Sequence, residues 1–321
     1  MKGRMCTVIA AAAVAISGPA FADVWRHGVV EAKGDAGIIF MAERFAEKYG
    51  IDLEMVEFVS STVPVKALLA GEIDSYATSP LVGLAAMAEK APLRFVGCNW
   101  PGMTYNIYAK SEITSVEDLR GKSIGVSGPG SSPDLFAREV LYAHDIDPGE
   151  VKFVSAGGGG DRFRAVVAGI VDATATSSEY EEEAERQNVN VIARAPDVTP
   201  NLLRNCIVTT QDAIDNRSDE LVRFLATQME GHAYALEHPE ETYPLAREIT
   251  NMAEDDKSPE FIFDEVVKYS AVTPDLEMDA EKLQWNVDMM QRNARIQNVF
   301  DVTEFIDDGP RQQALELVKQ Q

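Results

Sequence analysis

A passage written twice constrains this chain more than any other feature. Residues 63–80 read VPVKALLAGEIDSYATSP, and residues 161–178, 98 positions later, read DRFRAVVAGIVDATATSS. The two align without a gap and share Ala67/Ala165, Ala70/Ala168, Gly71/Gly169, Asp74/Asp172, Ala77/Ala175, Thr78/Thr176 and Ser79/Ser177. Each copy reads as a helix of small and apolar residues, a Gly suited to the turn after a helix, a short apolar strand and a hydroxyl-bearing turn. Gly caps and apolar strands are generic, but they do not require a shared Ala-Thr-Ser. The repetition predicts an internal duplication: two similar lobes, each presenting a Thr-Ser turn to a space between them.

The flanking pattern supplies the lobes. Strands are expected over 24–30, 53–59 and 93–98 and helices over 37–49 and 82–90, with the first copy of the repeat among them. A second series follows over 122–193, with strands at 122–127, 151–155 and 189–193 and helices at 133–144 and 180–187. Such alternation predicts an α/β fold in which each lobe is an open, mainly parallel sheet flanked by helices. Two short β-rich runs, TYNIYA at 104–109 and NCIVTT at 205–210, lie where the chain would cross and return, and are expected to form a two-strand hinge. The expected division is a first lobe of 23–106 with 208–321, a second lobe of 107–207, and a hinge near 104–110 and 204–210. Helical stripes at 220–237, 259–269, 280–294 and 310–319 would pack on the first lobe, with Phe224, Tyr234, Phe261, Phe263 and Trp285 in the core.

The first 22 residues read as a cleaved secretory signal: Lys2 and Arg4, a short apolar run, and Ala20-Phe21-Ala22 as the processing site. Export to the periplasm, with the mature chain starting at Asp23, follows as an expectation. Cys98 and Cys206 remain after cleavage. Two buried free thiols are the simpler reading, and pairing in an oxidising compartment is the alternative. The net charge of −23 makes nucleic acid and anionic membrane poor partners. The four histidines lack metal-ligand spacing, and neither a G-x-S-x-G elbow nor a thiol–histidine signature is present, so no enzyme, metal or cofactor is expected.

In open α/β sheets, ligands gather beyond the carboxyl ends of the strands. That rule selects Glu31 and Lys33 after the first strand, Ser79 and Pro80 after the third, and Asn99 and Trp100 after the fourth. In the second lobe it selects Ser131 and Ser132 in the turn SGPGSSP, with Ser132 as the expected N-cap before Pro133. It also selects Arg162 after the run Gly157-Gly158-Gly159-Gly160, and Thr176, Ser177 and Glu179 in the copied turn. Tyr105, beside the first crossing, completes the set. Gly121-Lys122-Ser123 precedes a strand and lacks the upstream Gly of a phosphate loop, so it is set aside.

With these residues in view, the chain resembles the periplasmic solute-binding proteins of ABC importers, in the group that binds alkanesulfonates, taurine, nitrate, riboflavin and thiamine precursors. The carriers are ALLAGEIDSYATS at 67–79, VEDLRGKSIGVS at 116–127, the helix start at 131–141 and AVVAGIVDATAT at 165–176. The resemblance implies a two-lobed, type II-like binding-protein fold that works as a monomer. It would close on one small polar organic solute, an organic acid or sulfonate or an N-heterocycle such as a pyrimidine, and deliver it to ABC permease subunits. A TRAP-type receptor and a periplasmic enzyme on the same fold are the alternatives. The loop Glu31-Ala32-Lys33-Gly34-Asp35 departs from an apolar form, so Glu31, Asp35 or Glu179 would accept from an amine or heterocycle stacked on Trp100.

Overall fold

The computed structural model describes residues 24–30, 33–58, 61 and 63–320; the expected signal segment and Glu31 lie outside the described residues. The first five strands are β1 (Trp25–Val30), β2 (Leu53–Phe58), β3 (Ser75–Thr78), β4 (Leu93–Trp100) and β5 (Tyr105–Lys110). The others are β6 (Ser123–Val126), β7 (Lys152–Ser155), β8 (Ala173–Ser177), β9 (Val189–Arg194) and β10 (Asn205–Thr210). Between them run α1 (Ala36–Phe40), α2 (Pro64–Leu69), α3 (Pro80–Ala88), α4 (Ser132–Ala143), α5 (Gly159–Val167), α6 (Glu181–Arg186) and α7 (Ala195–Val198). The C-terminal part is helical: α8 (Gln211–Asn216), α9 (Ser218–Glu237), α10 (Pro239–Thr250), α11 (Ser258–Tyr269), α12 (Ala280–Arg292) and α13 (Gly309–Lys319).

Two five-stranded sheets follow the same plan, β2-β1-β3-β10-β4 and β7-β6-β8-β5-β9. In each, one strand runs against both its neighbours, and that strand arrives from the other half of the chain: β10 between β3 and β4, β5 between β8 and β9. The two-lobed α/β expectation is met, with sheets that are mixed through this exchange. The copied passage is α2-β3 in one lobe and α5-β8 in the other, and each part of it has a matching structural task. Gly71 and Gly169 follow the helices at φ +73° and +71°, a left-handed turn that a Cβ would strain. Asp74 accepts the Arg26 N–H at 2.7 Å and Asp172 accepts the Ser123 N–H at 2.9 Å. Each copied Asp thus anchors its strand to the start of the neighbouring parallel strand, and fixes the register that sends the Thr-Ser turn to the carboxyl edge.

The runs expected as a hinge are full sheet members: β5 lies wholly in the second sheet and β10 wholly in the first. The connections between sheets are instead 101–104 and, after α7, 199–204. The expected free thiols are also corrected. Cys98 on β4 and Cys206 on β10 are bonded, their Cα atoms 3.8 Å apart. At a sequence separation of 108, the sequence gives no spatial distance; the antiparallel pairing of β4 and β10 brings them together. The whole second sheet is contained in the loop the disulfide closes.

An apolar cluster runs from Leu84 of α3 and Phe95 of β4 in the first lobe, through Met103 and Leu203 at the connections, to Ile107 of β5 and Phe136 and Val140 of α4 in the second. The C-terminal helices cover the first sheet and also reach the second lobe: Arg295 pairs with Asp134 of α4 at 2.8 Å, and Arg292 and Asn293 hold Glu139. Phe224 and Phe263 are buried, whereas Tyr234, Phe261 and Trp285 are only partly so. Beyond the stripe ending at His238, α10 is an added helix. Pro239 opens it with φ preset, and the internal Pro244 obscures it in sequence. His27 is core rather than cleft: its ring takes a 2.7 Å hydrogen bond with Ser75 and packs 4.7 Å from Phe224.

Replacing both Cys98 and Cys206 by Ala should lower unfolding free energy by about 2–4 kcal/mol, read from urea melts, with far-UV circular dichroism unchanged. Burial, and secondarily His232, lowers the His27 pKa to about 3, and burial lowers that of His232 to about 4. The unfolded chain therefore binds more protons below the ordinary histidine value. Stability contributed by these two rings is full above pH ~6.5 and declines as pH falls toward 4 and then 3, a decline that His232→Gln should blunt in a Tm-against-pH series.

Candidate functional site

The carboxyl edges of the two sheets border one cleft of about 370 Å³. The first lobe contributes Val29 and Val30 from the end of β1, Lys33 and Asp35 from the next loop, Thr78 and Ser79 from the copied turn, and Asn99 from the end of β4. The second contributes Ser127, Ser132, Gly157 to Gly159, Arg162, and Thr176, Ser177 and Glu179. Met103 and Arg204 enter from the connections, Tyr105 and Asn205 from the first residues of β5 and β10, and Ile262 from α11. Both copies of the Thr-Ser turn therefore line the same space.

Local geometry makes this edge rich in donors. Ser79 precedes α3, Ser131 precedes α4 and Gly158 precedes α5, so three helices begin at the cleft with their unpaired first-turn N–H groups. Gly157 turns at φ +81°, and a Cβ at Gly159 would stand 3.1 Å from Thr176 Oγ1 and 3.8 Å from Lys33 Nζ. The glycine run is thus a close backbone approach, and Lys33 of the first lobe reaches across to the start of α5. The Ser79 hydroxyl and the Asn99 amide oxygen are buried without a protein partner.

Five charged side chains line the cleft. Arg204 pairs with Asp35, donates to Thr104 Oγ1 at 3.3 Å and lies 4.0 Å over the Trp100 ring. Arg162 is buried and donates to Ala175 O at 2.9 Å, Gly157 O at 2.8 Å and Thr176 Oγ1 at 3.4 Å, all neutral acceptors. Burial lowers its pKa, but a guanidinium remains charged. Burial and then the Asp35 carboxylate push Glu179 up to about 7, against the opposing pull of Lys33, Arg204 and the Tyr180 hydroxyl. On α11, burial raises Glu265 to about 7 as well; it accepts from Ser178 Oγ and so bridges α11 to the copied turn of the second lobe.

Of the residues selected from sequence, Lys33, Ser79, Asn99, Tyr105, Ser132, Arg162, Thr176, Ser177 and Glu179 stand on the cleft. Trp100 does not: it is fully buried at the end of β4, covered by Arg204 and packed with Ala271 and Val272, so its ring offers no stacking face. Pro80 opens α3 as a buried first residue, behind the lining. Ser131, not Ser132, caps α4, and its hydroxyl is spent on Gly128 O at 2.7 Å. Sequence selection missed Arg204 and Asn205, although a cation opening the returning strand was a usable signal. Ile262 comes from a helix far along the chain, with no local mark.

Residues 39–242, more than half of the chain, match the model of the family described as NMT1/THI5 like. The fold recurs in the periplasmic aliphatic sulphonate binding protein SsuA of Escherichia coli, at TM-score 0.73 and 21% identity over 89% of this chain and 92% of that one. It recurs in the periplasmic nitrate-binding protein NrtA of Synechocystis PCC 6803, at TM-score 0.73 and 14% identity over 93% and 90%. A Brucella abortus chain named as a binding protein is 28% identical over 120 residues, 37% of this chain; the match spans only about a third of that relative, 34%.

Glu179→Gln should raise the Tm of the ligand-free protein at pH 8 by roughly 2–4 °C, the response of a chain this size to about 1 kcal/mol. At pH 8 the wild-type carboxylate is ionised in a poorly hydrated site. At pH 5, below its raised pKa, it is protonated and the substitution should be nearly silent, a contrast that scanning fluorimetry at the two pH values reads directly.

Proposed function

The chain belongs to the NMT1/THI5-like family, and we propose that it is the exported solute receptor of an ABC importer, holding a small polar organic solute between its lobes for delivery to the permease. The carrying observation is that Thr78-Ser79 and Thr176-Ser177, copies of one turn on opposite lobes, line a single cleft. A solute touching both turns favours the arrangement with the lobes together by the difference in its contacts between the two arrangements. The connections at 101–104 and 199–204 serve as the hinge, and the disulfide between β4 and β10 clamps its base. That disulfide also supports a periplasmic address, since such bonds persist in oxidising compartments.

The binding role draws on what the cleft holds: fixed donors, an ion pair and a buried guanidinium, all suited to retaining an ionic solute. The solved relatives of this shape include proteins titled as binders of aliphatic sulphonate and of nitrate, which supports an organic acid or sulfonate as the solute class.

Native mass spectrometry of the purified protein, followed by a thermal-shift screen of sulfonates, carboxylates, amines and pyrimidines, tests the proposal. A stabilising solute that also lowers the radius of gyration in small-angle scattering is the expected result; turnover of the solute, or no response to any class, would overturn it. Ser79→Ala should weaken that solute roughly threefold to tenfold and leave Tm unchanged, because the hydroxyl has no partner in the protein.

A further inference from the structure

We infer that α12 is a fixed third member of the hinge, bolted to α4 of the second lobe outside the cleft, so that the lobes part at the cleft while this contact stays closed. The inference goes beyond the receptor reading and needs no knowledge of the solute.

By its packing α12 belongs to the first lobe, where it lies on α3 and on the turn at 302–305 that meets β4. Its far end nevertheless grips the second lobe. Arg295 donates to Asp134 of α4 at 2.8 Å, Asn293 donates to Glu139 Oε1 at 2.8 Å, and Arg292 also pairs with Glu139. Both acids are withdrawn from water: Asp134 is 0% exposed and Glu139 6%. Pulling α12 away from α4 would strip each of the cation that the first lobe supplies, and a buried carboxylate deprived of its counter-charge is costly. Asp134 also accepts the Gly130 N–H at 2.7 Å, so the same contact braces the turn that carries Ser127 and Ser132 to the cleft. Two further ties join α12 to the hinge. Asn286 donates to Asn201 O at 2.8 Å in the connection 199–204, and Leu283 and Val287 share one apolar cluster with Leu203, Phe136 and Val140. No described residue of α12 lines the cleft.

The contact that α11 makes with the second lobe is of another kind. Ser178 Oγ donates to Glu265, a hydrogen bond without a cation, and the nearby Ser177 and Ile262 stand on the cleft. Once the lobes part, water can replace the partner of a hydroxyl and of a half-buried carboxylate, so this contact yields at little cost. Two buried acids held by two arginines and an asparagine on one flank, against one hydroxyl on the other, decide which flank stays closed.

Pulsed electron paramagnetic resonance on spin-labelled pairs tests this on the full mature chain without added solute; Cys98 and Cys206 are bonded to each other and do not take the label. One pair, Ala143→Cys with Gln291→Cys, spans the α4–α12 contact, and the other, Val63→Cys with Arg164→Cys, spans the cleft from exposed positions just before α2 and on α5. Ser178→Ala should lengthen the cleft pair by more than about 2 Å and move the α4–α12 pair by less than about 1 Å, whereas Glu139→Gln should broaden or lengthen the α4–α12 pair beyond that limit. Any other pattern, above all both pairs lengthening together in Ser178→Ala, overturns the inference. If a variant fails to fold, native-state hydrogen exchange of the unsubstituted chain decides: amides of 138–142 and 287–292 should be protected by roughly tenfold or more over those of 178–180 and 264–268, and a smaller margin or the reverse order overturns it. The receptor reading stands or falls separately, on whether a stabilising solute shortens the cleft pair.

Discussion

The returning strand β10 holds the architecture together. It lies in the middle of the first sheet, hydrogen-bonded to β3 on one side and β4 on the other, and disulfide-bonded to β4. Until the chain has made the second lobe and come back, the first sheet is split between β3 and β4. The reciprocal holds for β5, which leaves the first lobe and becomes an interior strand of the second sheet. Each lobe is therefore completed by a strand joined through a short connection to the other lobe. Each connection leads directly into an interior strand, β5 or β10, which anchors its far end.

This exchange also sets the cleft. Met103, Tyr105, Arg204 and Asn205 stand on its lining because the strands they introduce or begin are fixed in the sheets. Arg204 shows the consequence for electrostatics. Its guanidinium covers Trp100, pairs with Asp35 and is a counter-charge acting on Glu179, so one residue at a connection links the apolar base of the first lobe to the ionic balance of the site. The parallel strands contribute differently. Asp74 and Asp172 tie β3 and β8 to the starts of β1 and β6, and so put the two Thr-Ser turns at the same edge.

Much of this was legible because it is local. Alternating strands and helices, the Gly after each copied helix and the hydroxyl turn are written in adjacent residues, and their physical causes act over a few positions. The carboxyl-end rule then reached Lys33, Asn99, Arg162 and Glu179 without knowledge of the fold. It failed where a side chain had a choice of direction. Trp100 stands at the end of β4 as Asn99 does, yet one more residue along a pleated strand turns the side chain to the opposite face, and Trp100 enters the core. Ser131 and Ser132 differ likewise by one step in a turn whose helix starts a residue earlier than its Pro indicates.

The sequence by itself determined the duplication, the α/β character of each half and the loops that form the cleft, since all of these follow from short-range periodicity and turn chemistry. Only the tertiary structure decided that Cys98 meets Cys206, that Arg204 meets Asp35, that Lys33 crosses to Gly159 and that Arg162 is buried against neutral acceptors. The reason is distance along the chain. The first three contacts join residues more than a hundred positions apart, and nothing local fixes their separation until two interior strands have been exchanged between the lobes; the Arg162 contacts span only 5 to 14 positions, but its burial depends on the same closed-up lobe.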